Sequence, residues 1–356
     1  MVDFTSSLYL GLRHPSWSLR PWSRLTTGVP AGVASPAEAQ RVAHEVAKLQ
    51  GCESGVLGSS SFHLFWDLFG ILTRRAVTIL FDAELYPIGR WGVERAAGRG
   101  VQVHKFAHHD LNSLRDWFNR NRSQQPLLVT DGFCPDCGNP APLTEYLEIL
   151  RKFGGRLIVD DTQAFGIFGD SCNSDIPYGR RGGGMLRWLQ IENPDVLLIC
   201  SLAKAFGAPA AVLSGSRDAI KDFEENSETR IHCSPPSIAT IRAVEHALSI
   251  NHKYGDRVRL RLAGLVTRFR SRAAESGFKF TGGLFPVQTL NSESPTDISI
   301  VHEQLLRRGI RTVLRQSPRW HGPQISFVVT ARHTPAMIDH AVTTLADSWL
   351  PSLAHR

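Results

Sequence analysis

Lysine is almost missing from this chain. Of 40 basic residues, 7 are Lys and 33 are Arg, against 33 acidic residues, for a formal charge of +7. The basic residues are scattered, so a nucleic-acid surface is not expected. The Arg skew reads as compositional; the functional alternative is a basic surface for an anionic partner such as coenzyme A or an acidic carrier protein. Long apolar runs are also absent. The longest, such as residues 76–81, are strand-sized and far below the about 20 residues that a membrane span needs. The first seven residues carry no basic segment followed by an apolar core. No secretion signal is therefore expected, and a cytoplasmic location is. Cysteine is sparse, with six residues at 52, 134, 137, 172, 200 and 233, read as reduced thiols. Cys134-Pro135-Asp136-Cys137 has the spacing of a redox or zinc motif. No second CxxC exists to complete a zinc site, so no metal is expected. A structural pair is the plain reading and a redox-sensitive pair the alternative. With 30 Gly and 20 Pro the chain is not fibrous, and 42% hydrophobic with 21% charged residues excludes disorder.

What is present is an alternation of strand-like and helix-like segments. Val77–Phe81, Val101–Phe106, Pro126–Thr130, Arg156–Asp160 and Val196–Cys200 are short and apolar on both faces, as in a mostly parallel sheet covered by helices. Leu64–Leu72, Leu111–Asn119 (capped by Asp110) and Leu143–Phe153 read as helices. After about residue 235 the pattern changes to long helices, Ile238–Ile250 and Gly255–Ala274, then a smaller strand-and-helix unit ending in helix Pro335–Leu350. On the second long helix, Arg257, Arg259, Arg261, Arg268, Arg270 and Arg272 alternate with Val258, Leu262, Leu265, Val266 and Phe269, which predicts an amphipathic helix with a solvated basic face. The expected division is a large α/β domain over 36–235 and a small domain built from 1–35 and 236–356.

Three segments carry chemistry. In Arg156-Leu157-Ile158-Val159-Asp160-Asp161-Thr162-Gln163 an apolar strand runs into two carboxylates. A carboxylate at the carboxyl end of a parallel strand faces the crevice where α/β proteins bind ligands; a solvated loop acid is the plainer alternative. In Val196-Leu197-Leu198-Ile199-Cys200-Ser201-Leu202-Ala203-Lys204-Ala205-Phe206 a buried-type strand ends in a hydroxyl, followed by a lone Lys among apolar neighbours. Desolvation lowers a lysine pKa and makes the amine nucleophilic, as Schiff-base chemistry requires. Gly58-Ser59-Ser60-Ser61-Phe62-His63 is a Gly/Ser turn into an apolar helix, whose free N–H groups suit an anion.

Anion turn, then Asp, then Lys resembles the fold-type-I pyridoxal-phosphate (PLP) enzymes. More narrowly, the chain is similar to the α-oxoamine synthase family, over nearly its whole length. Leu8-Tyr9-Leu10-Gly11-Leu12-Arg13-His14-Pro15 matches that family's N-D-Y-L-G-L-x-x-H-P. Gly132–Leu143 matches E-G-x-F-S-M-D-G-x-x-A-P-L in outline, Asp160–Gly169 matches D-E-A-H-A-x-G-x-x-G, and Ser201–Gly207 matches T-L-S-K-A-F-G. The resemblance implies a large domain with a mostly parallel seven-stranded-type sheet plus a smaller α+β domain. It implies that Lys204 bonds the cofactor and later moves the α-proton, and that Asp160 pairs with the pyridine nitrogen. Backbone N–H groups of Ser61 and Phe62, and the Ser201 hydroxyl, take the phosphate positions. Gln163 replaces a His near the ring oxygen, and Tyr86 replaces the His that stacks on the ring. Ile231–Pro236, with His232, resembles the segment that reaches across the subunit interface, so a homodimer is implied.

The departures fall on the substrate side. Thr27-Gly28-Val29-Pro30 stands where the family has G-G-S-R, and Pro135 stands at the loop Ser. Gln324-Ile325-Ser326-Phe327 replaces an R-I-S-type segment whose Arg grips the amino acid's carboxylate. Arg315, in Leu314-Arg315-Gln316-Ser317-Pro318, is the nearby candidate cation, so Arg315 and Ser326 are the candidate substrate residues. The implied activity is carbon–carbon bond formation between an amino acid and an acyl thioester of coenzyme A or an acyl-carrier protein, decarboxylative in type. The alternative is another PLP reaction: aminotransferase, decarboxylase, or lyase or aldol type. A cofactor-binding relic without activity is a third reading.

Overall fold

Runs of apolar residues that bury both faces form the centre of the molecule. The computed structural model describes residues 1–74, 77–121, 125–291, 295–316 and 322–353. The strands of the central sheet, numbered in chain order, are β1 (Ser54–Gly58), β2 (Thr78–Asp82), β3 (Gln102–Phe106), β4 (Leu127–Asp131), β5 (Arg156–Asp160), β6 (Val196–Ser201) and β7 (Ala211–Gly215). Their order across the sheet is β1-β7-β6-β5-β4-β2-β3. β7 is antiparallel to both neighbours and the other pairings are parallel. Successive residues of a strand enter opposite cores. Leu128, Leu157, Val159 and Leu198 pack on one side, and Leu127, Val129, Ile158 and Ile199 on the other. This alternation between two dry faces is why the strands read as continuous apolar runs.

The C-terminal third adds a four-stranded antiparallel sheet of Phe280–Thr281, Val287–Leu290, Pro323–Val328 and Val313–Gln316. The first residues of the chain join this part. Val2 and Asp3 pair in parallel with Ile310 and Arg311, Val328 N–H donates to the Phe4 carbonyl at 2.8 Å, and the Phe4 ring stacks on His333. Among the described residues no helix is long and apolar enough to cross a membrane.

One expectation for the long helices fails and the other holds only in part, for one reason. Instead of two helices there is one, Ile238–Glu275. The polar stretch around Asn251 looks like a break in the sequence, but it is a buried network. Asn251 donates to the Arg181 carbonyl at 2.9 Å and accepts from Arg259 at 2.7 Å. The basic face is solvated only in part: Arg257, Arg261, Arg268 and Arg272 are exposed, whereas Arg259 is not. Arg259 is 1% exposed and also donates to the Gly166 carbonyl at 3.0 Å and to Asp256 at 2.6 Å. Arg261 donates to the carbonyls of Ala331 and His333, Arg268 to Asp339, and Arg270 to the Phe280 carbonyl and Gln288. A guanidinium presents five donors in a planar fork, and here the forks tie the helix to the loops, strands and helix beside it.

A second buried charge braces the turn after β5. Asp161 is fully buried. Its Oδ1 accepts from Met185 N–H at 3.2 Å, while Oδ2 has no partner among the described residues. That oxygen presses on Gly184, where a Cβ would sit 1.8 Å away and where φ is +88°. Only glycine fits both the backbone angle and the contact. Burial pushes the Asp161 carboxyl up to about 8.

These two braces give two expectations. Arg259→Ala leaves the Gly166 carbonyl and the Asn251 amide oxygen without their donor, and should lower the unfolding free energy by about 3 kcal/mol. An unchanged urea midpoint with unchanged slope would contradict it. For Asp161, the folded state keeps a proton that the unfolded chain releases above about pH 4. The unfolded state is thus favoured progressively as pH rises from there to about 8. Asp161→Asn removes this dependence, so its melting temperature relative to wild type should climb between pH 5 and pH 8. A difference that stays flat with pH would show that Asp161 is ionised in the fold.

Candidate active site

The carboxyl ends of β2, β4 and β5 each carry an aspartate: Asp82, Asp131 and Asp160. Asp131 and Asp160 are direct cross-strand partners, so two carboxylates share one place. Burial, and then the neighbouring Asp160, push the Asp131 carboxyl well above its usual range. Burial likewise raises Asp160, against the hydrogen bonds from Thr162 and the attraction of Lys204. Thr162 N–H donates to Asp160 Oδ1 at 3.0 Å, and the Thr162 hydroxyl accepts from Ser201 N–H at 2.9 Å. The end of β6 is thereby fastened to the end of β5.

Lys204 lies just beyond β6 and faces this pair. Burial lowers its pKa below the ordinary lysine value, while Asp160 and then Asp131 pull it back. Its Nζ sits 5.4 Å from the centroid of the Tyr86 ring. Tyr86, 47% exposed, is held from below, its N–H donating to Asp131 at 3.1 Å. The structure thus brings Lys204, Asp160 and Tyr86 together. It adds Asp131, which the sequence reading passed over although β4, like β5, is an apolar strand that ends in an acid. Gln163, in the turn after Asp160, accepts the Tyr9 hydroxyl at 2.8 Å. The Tyr-Leu-Gly-Leu segment therefore reaches the same place through Tyr9.

The anion turn lies along the same sheet edge. Gly58 and Ser201 are both cross-strand partners of Ala211, which aligns the start of the Ser59–Phe62 turn with the end of β6. Helix Ser61–Leu72 starts there. Its cap is the Ser60 side chain, which accepts from His63 N–H at 3.4 Å, and the N–H groups of Ser61 and Phe62 have no intrahelical acceptor. His232 stands apart, exposed at the end of the short helix Glu228–His232. That helix is fixed to the Ser61–Leu72 helix through Asp67, which accepts from Ser227 and Thr229.

The donor set fits pyridoxal phosphate. The buried Asp160 and the half-buried Asp131 face one amine, an anionic excess that a protonated ring nitrogen would relieve. The amine is half-buried among apolar neighbours, and free N–H groups wait at a helix start.

The candidate substrate residues lie on one face of the C-terminal sheet. Arg315 pairs across the strands with Gln324, and Val313 with Ser326. Ser326 is buried, and its hydroxyl is 2.8 Å from that of Thr289. Arg315 donates to Asp136 at 2.6 Å and reaches Thr289 at 3.5 Å. Arg315 and Ser326 are thus joined through Thr289, but the cation is already neutralised. Asp136 belongs to the Cys134–Cys137 turn, which closes a hairpin of Phe133–Cys134 with Asn139–Pro140. Gln324 is buried with its Oε1 unpartnered among the described residues. Ser317 and Pro318 of the Arg315 motif lie outside the described residues.

Comparison with known proteins bears on the family and the fold. Residues 35–345 match the model of the family described as aminotransferase class I and II. The chain is 26% identical to the 8-amino-7-oxononanoate synthase of Alkalilimnicola ehrlichii, over 97% of this chain and 87% of that protein. It is 27% identical to that of Sodalis glossinidius, over 98% and 88%. Among solved structures, a serine palmitoyltransferase of Sphingomonas wittichii superposes with a TM-score of 0.85 at 15% identity, covering 99% of this chain and 88% of that one. The 8-amino-7-oxononanoate synthase of Francisella tularensis gives 0.77 at 18%, covering 99% and 98%. The α/β architecture is that of the fold-type-I PLP transferases, and the chain belongs to the aminotransferase class I and II family, where its motifs and its relatives agree on an α-oxoamine synthase type.

Proposed function

We propose that this protein is a PLP-dependent transferase that joins an amino acid to an acyl thioester, with release of carbon dioxide and of the thiol. The carrying observation is Lys204 facing Asp160 and Asp131 at the strand ends. Lys204 would hold the cofactor through its side-chain nitrogen, and Asp160 would hold the ring nitrogen. The N–H groups of Ser61 and Phe62 and the Ser201 hydroxyl would take the phosphate, Tyr86 would cover the ring, and Gln163, oriented by Tyr9, would meet the ring oxygen. When bound, the cofactor supplies an electron sink for bond breaking at the amino acid's α-carbon. Lys204, with its pKa lowered by burial, then serves as the base and acid for the α-proton. Asp131 fixes the Tyr86 backbone and adds negative charge behind the ring nitrogen.

The acyl donor is a thioester of coenzyme A or of an acyl-carrier protein. A homodimer in which His232 serves the partner's site, and a cytoplasmic location, complete the reading. The chain divides into a large domain over 36–235 and a small one from 1–35 and 236–356, as the pairing of Val2 and Asp3 with Ile310 and Arg311 supports.

The Arg315–Asp136 ion pair favours one second reading. With its carboxylate cation neutralised, the same site could serve another PLP reaction, of aminotransferase, decarboxylase, or lyase or aldol type. Thiol release from an acyl thioester that depends on an added amino acid supports condensation; amino-acid turnover without thiol release supports the second reading.

Four outcomes are expected. Lys204→Ala abolishes product formation, and Asp160→Asn keeps the bound cofactor but slows turnover by at least about 100-fold. Near-normal turnover of Asp160→Asn would remove Asp160 from the site. Asp136→Asn frees Arg315, so KM for a simple α-amino acid should fall about tenfold. The Asp136→Asn, Arg315→Ala double variant should lose that gain. Equal KM in both variants would exclude Arg315 as the carboxylate's partner.

A further inference from the structure

One motif beside this site is not used by the chemistry above: the pair Cys134 and Cys137, both free thiols. They bound the turn that closes the hairpin of Phe133–Cys134 with Asn139–Pro140. Cys134 is buried and Cys137 half-buried. Cys137 N–H donates to the Cys134 sulfur at 3.4 Å, so the turn folds Cys137 back over Cys134. The far end of the turn is clamped. Gly138 N–H donates to the Cys134 carbonyl at 2.9 Å, and a Cβ on Gly138, where φ is +73°, would lie 2.5 Å from the Gly282 carbonyl carbon. Between the two cysteines stands Asp136, which accepts from Arg315 at 2.6 Å. A disulfide needs its sulfurs about 2.05 Å and its Cβ atoms about 3.8 Å apart. With Gly138 seated and the φ of Pro135 fixed by its ring, drawing Cys137 onto Cys134 is taken up chiefly by Asp136.

We propose that Cys134 and Cys137 are a reversible disulfide site, oxidised by a small-molecule disulfide, and that closing the bridge loosens Asp136 from Arg315. The Cys137 thiolate attacks one sulfur of the small disulfide, whose sulfur–sulfur bond breaks and releases a thiolate. The Cys134 sulfur then attacks Cys137 in the mixed disulfide, giving its proton to the released thiolate. The bond between Cys134 and Cys137 forms and the second small thiolate leaves. Two protein sulfurs are oxidised, and one small disulfide is reduced to a thiol and a thiolate. Its effect on the amino substrate rests on the reading of Arg315 as the partner of that substrate's carboxylate.

The two thiols are suited to different steps. The Cys134 thiol first, and then the imidazoles of His108 and His109, outweigh burial and keep the Cys137 thiol well below its ordinary range. Cys137 is therefore the sulfur that is already a thiolate, and it is the less buried of the two, as the attacking member must be. The hydrogen bond to Cys137, and then burial, hold the Cys134 thiol up. It is shielded from a small disulfide in solution yet lies against the one formed on Cys137. The Asp136–Arg315 contact, at 2.6 Å, is at the short end of the charge-assisted range, so a displaced Asp136 can only lengthen it.

The test treats the full-length holoprotein with glutathione disulfide, under chelator, and maps the peptide that carries both cysteines. That peptide should become lighter by two hydrogens and regain them in dithiothreitol. Cys134→Ser should stop at a glutathione adduct on Cys137, and Cys137→Ser should form neither product. A wild-type pair that stays reduced, or that stops at the adduct, would overturn the proposal and leave the function standing. Release of Arg315 is read by its modification with phenylglyoxal, which should be about threefold or more faster in oxidised than in reduced wild type. In Asp136→Asn the rate should be high in both states. An unchanged rate in oxidised wild type, or the same increase in Asp136→Asn, would overturn the link to Arg315. Binding of L-alanine, measured by calorimetry, should tighten with the modification rate. Faster modification without tighter binding would support the switch and overturn the reading of Arg315 as the carboxylate's partner.

Discussion

Everything at the centre of this molecule follows from placing buried carboxylates at the ends of parallel strands with a single amine to face them. A buried carboxylate is expensive unless something nearby favours its charge. The register of β4 against β5 puts Asp131 and Asp160 side by side, so neither can satisfy the other. Lys204 offsets part of this repulsion and is itself weakened as a cation by burial. The site is thus poised, with an amine that gives up its proton more easily and an acid that calls for a protonated base opposite. The two-sided apolar core makes this possible, because it holds the strand ends in register and buries Asp160 at the floor of the site.

The surrounding structure keeps that arrangement rigid by spending other polar groups on backbone. Thr162 links the Asp160 carboxylate to the first residue of the lysine turn. Asp161 faces away from the site and seats Gly184 and Met185. Arg259 reaches from the middle of a 38-residue helix to the Gly166 carbonyl, which ties the turn after β5 to the element that joins the two sheets. The adjacent acids Asp160 and Asp161 therefore have opposite tasks according to which face of the strand end they leave.

What was legible in the sequence was what is local. The strand Arg156–Asp160 was read with its observed bounds, because an unbroken apolar run, an acid and a turn follow one another along the chain. Asp110 was read as a cap because its side chain serves the N–H groups of the next residues, Asn112 and Ser113. The apolar run Pro126–Thr130 stops one residue short of Asp131, so the sequence alone leaves this acid outside the strand. The polar stretch at Asn251 reads as a break because its partners, Arg181 and Arg259, give no signal in its own neighbourhood. Arg259 reads as a surface residue because helical spacing cannot tell a position that meets water from one that meets carbonyls.

The same distinction divides the two halves of the site. The cofactor side is built from turns, each a few residues long at a strand end, so motif and geometry coincide. The substrate side is built from residues that meet only through the fold. Arg315 finds Asp136 across 179 positions of sequence and Thr289 across 26, and Ser326 finds Thr289 across 37. A cation read from sequence as available for a carboxylate is in fact held by one, and no local pattern could have indicated this. Divergence in such a family can therefore run ahead on the substrate side: exchanging a distant partner re-tunes a charge there without disturbing the strand ends that hold the amine.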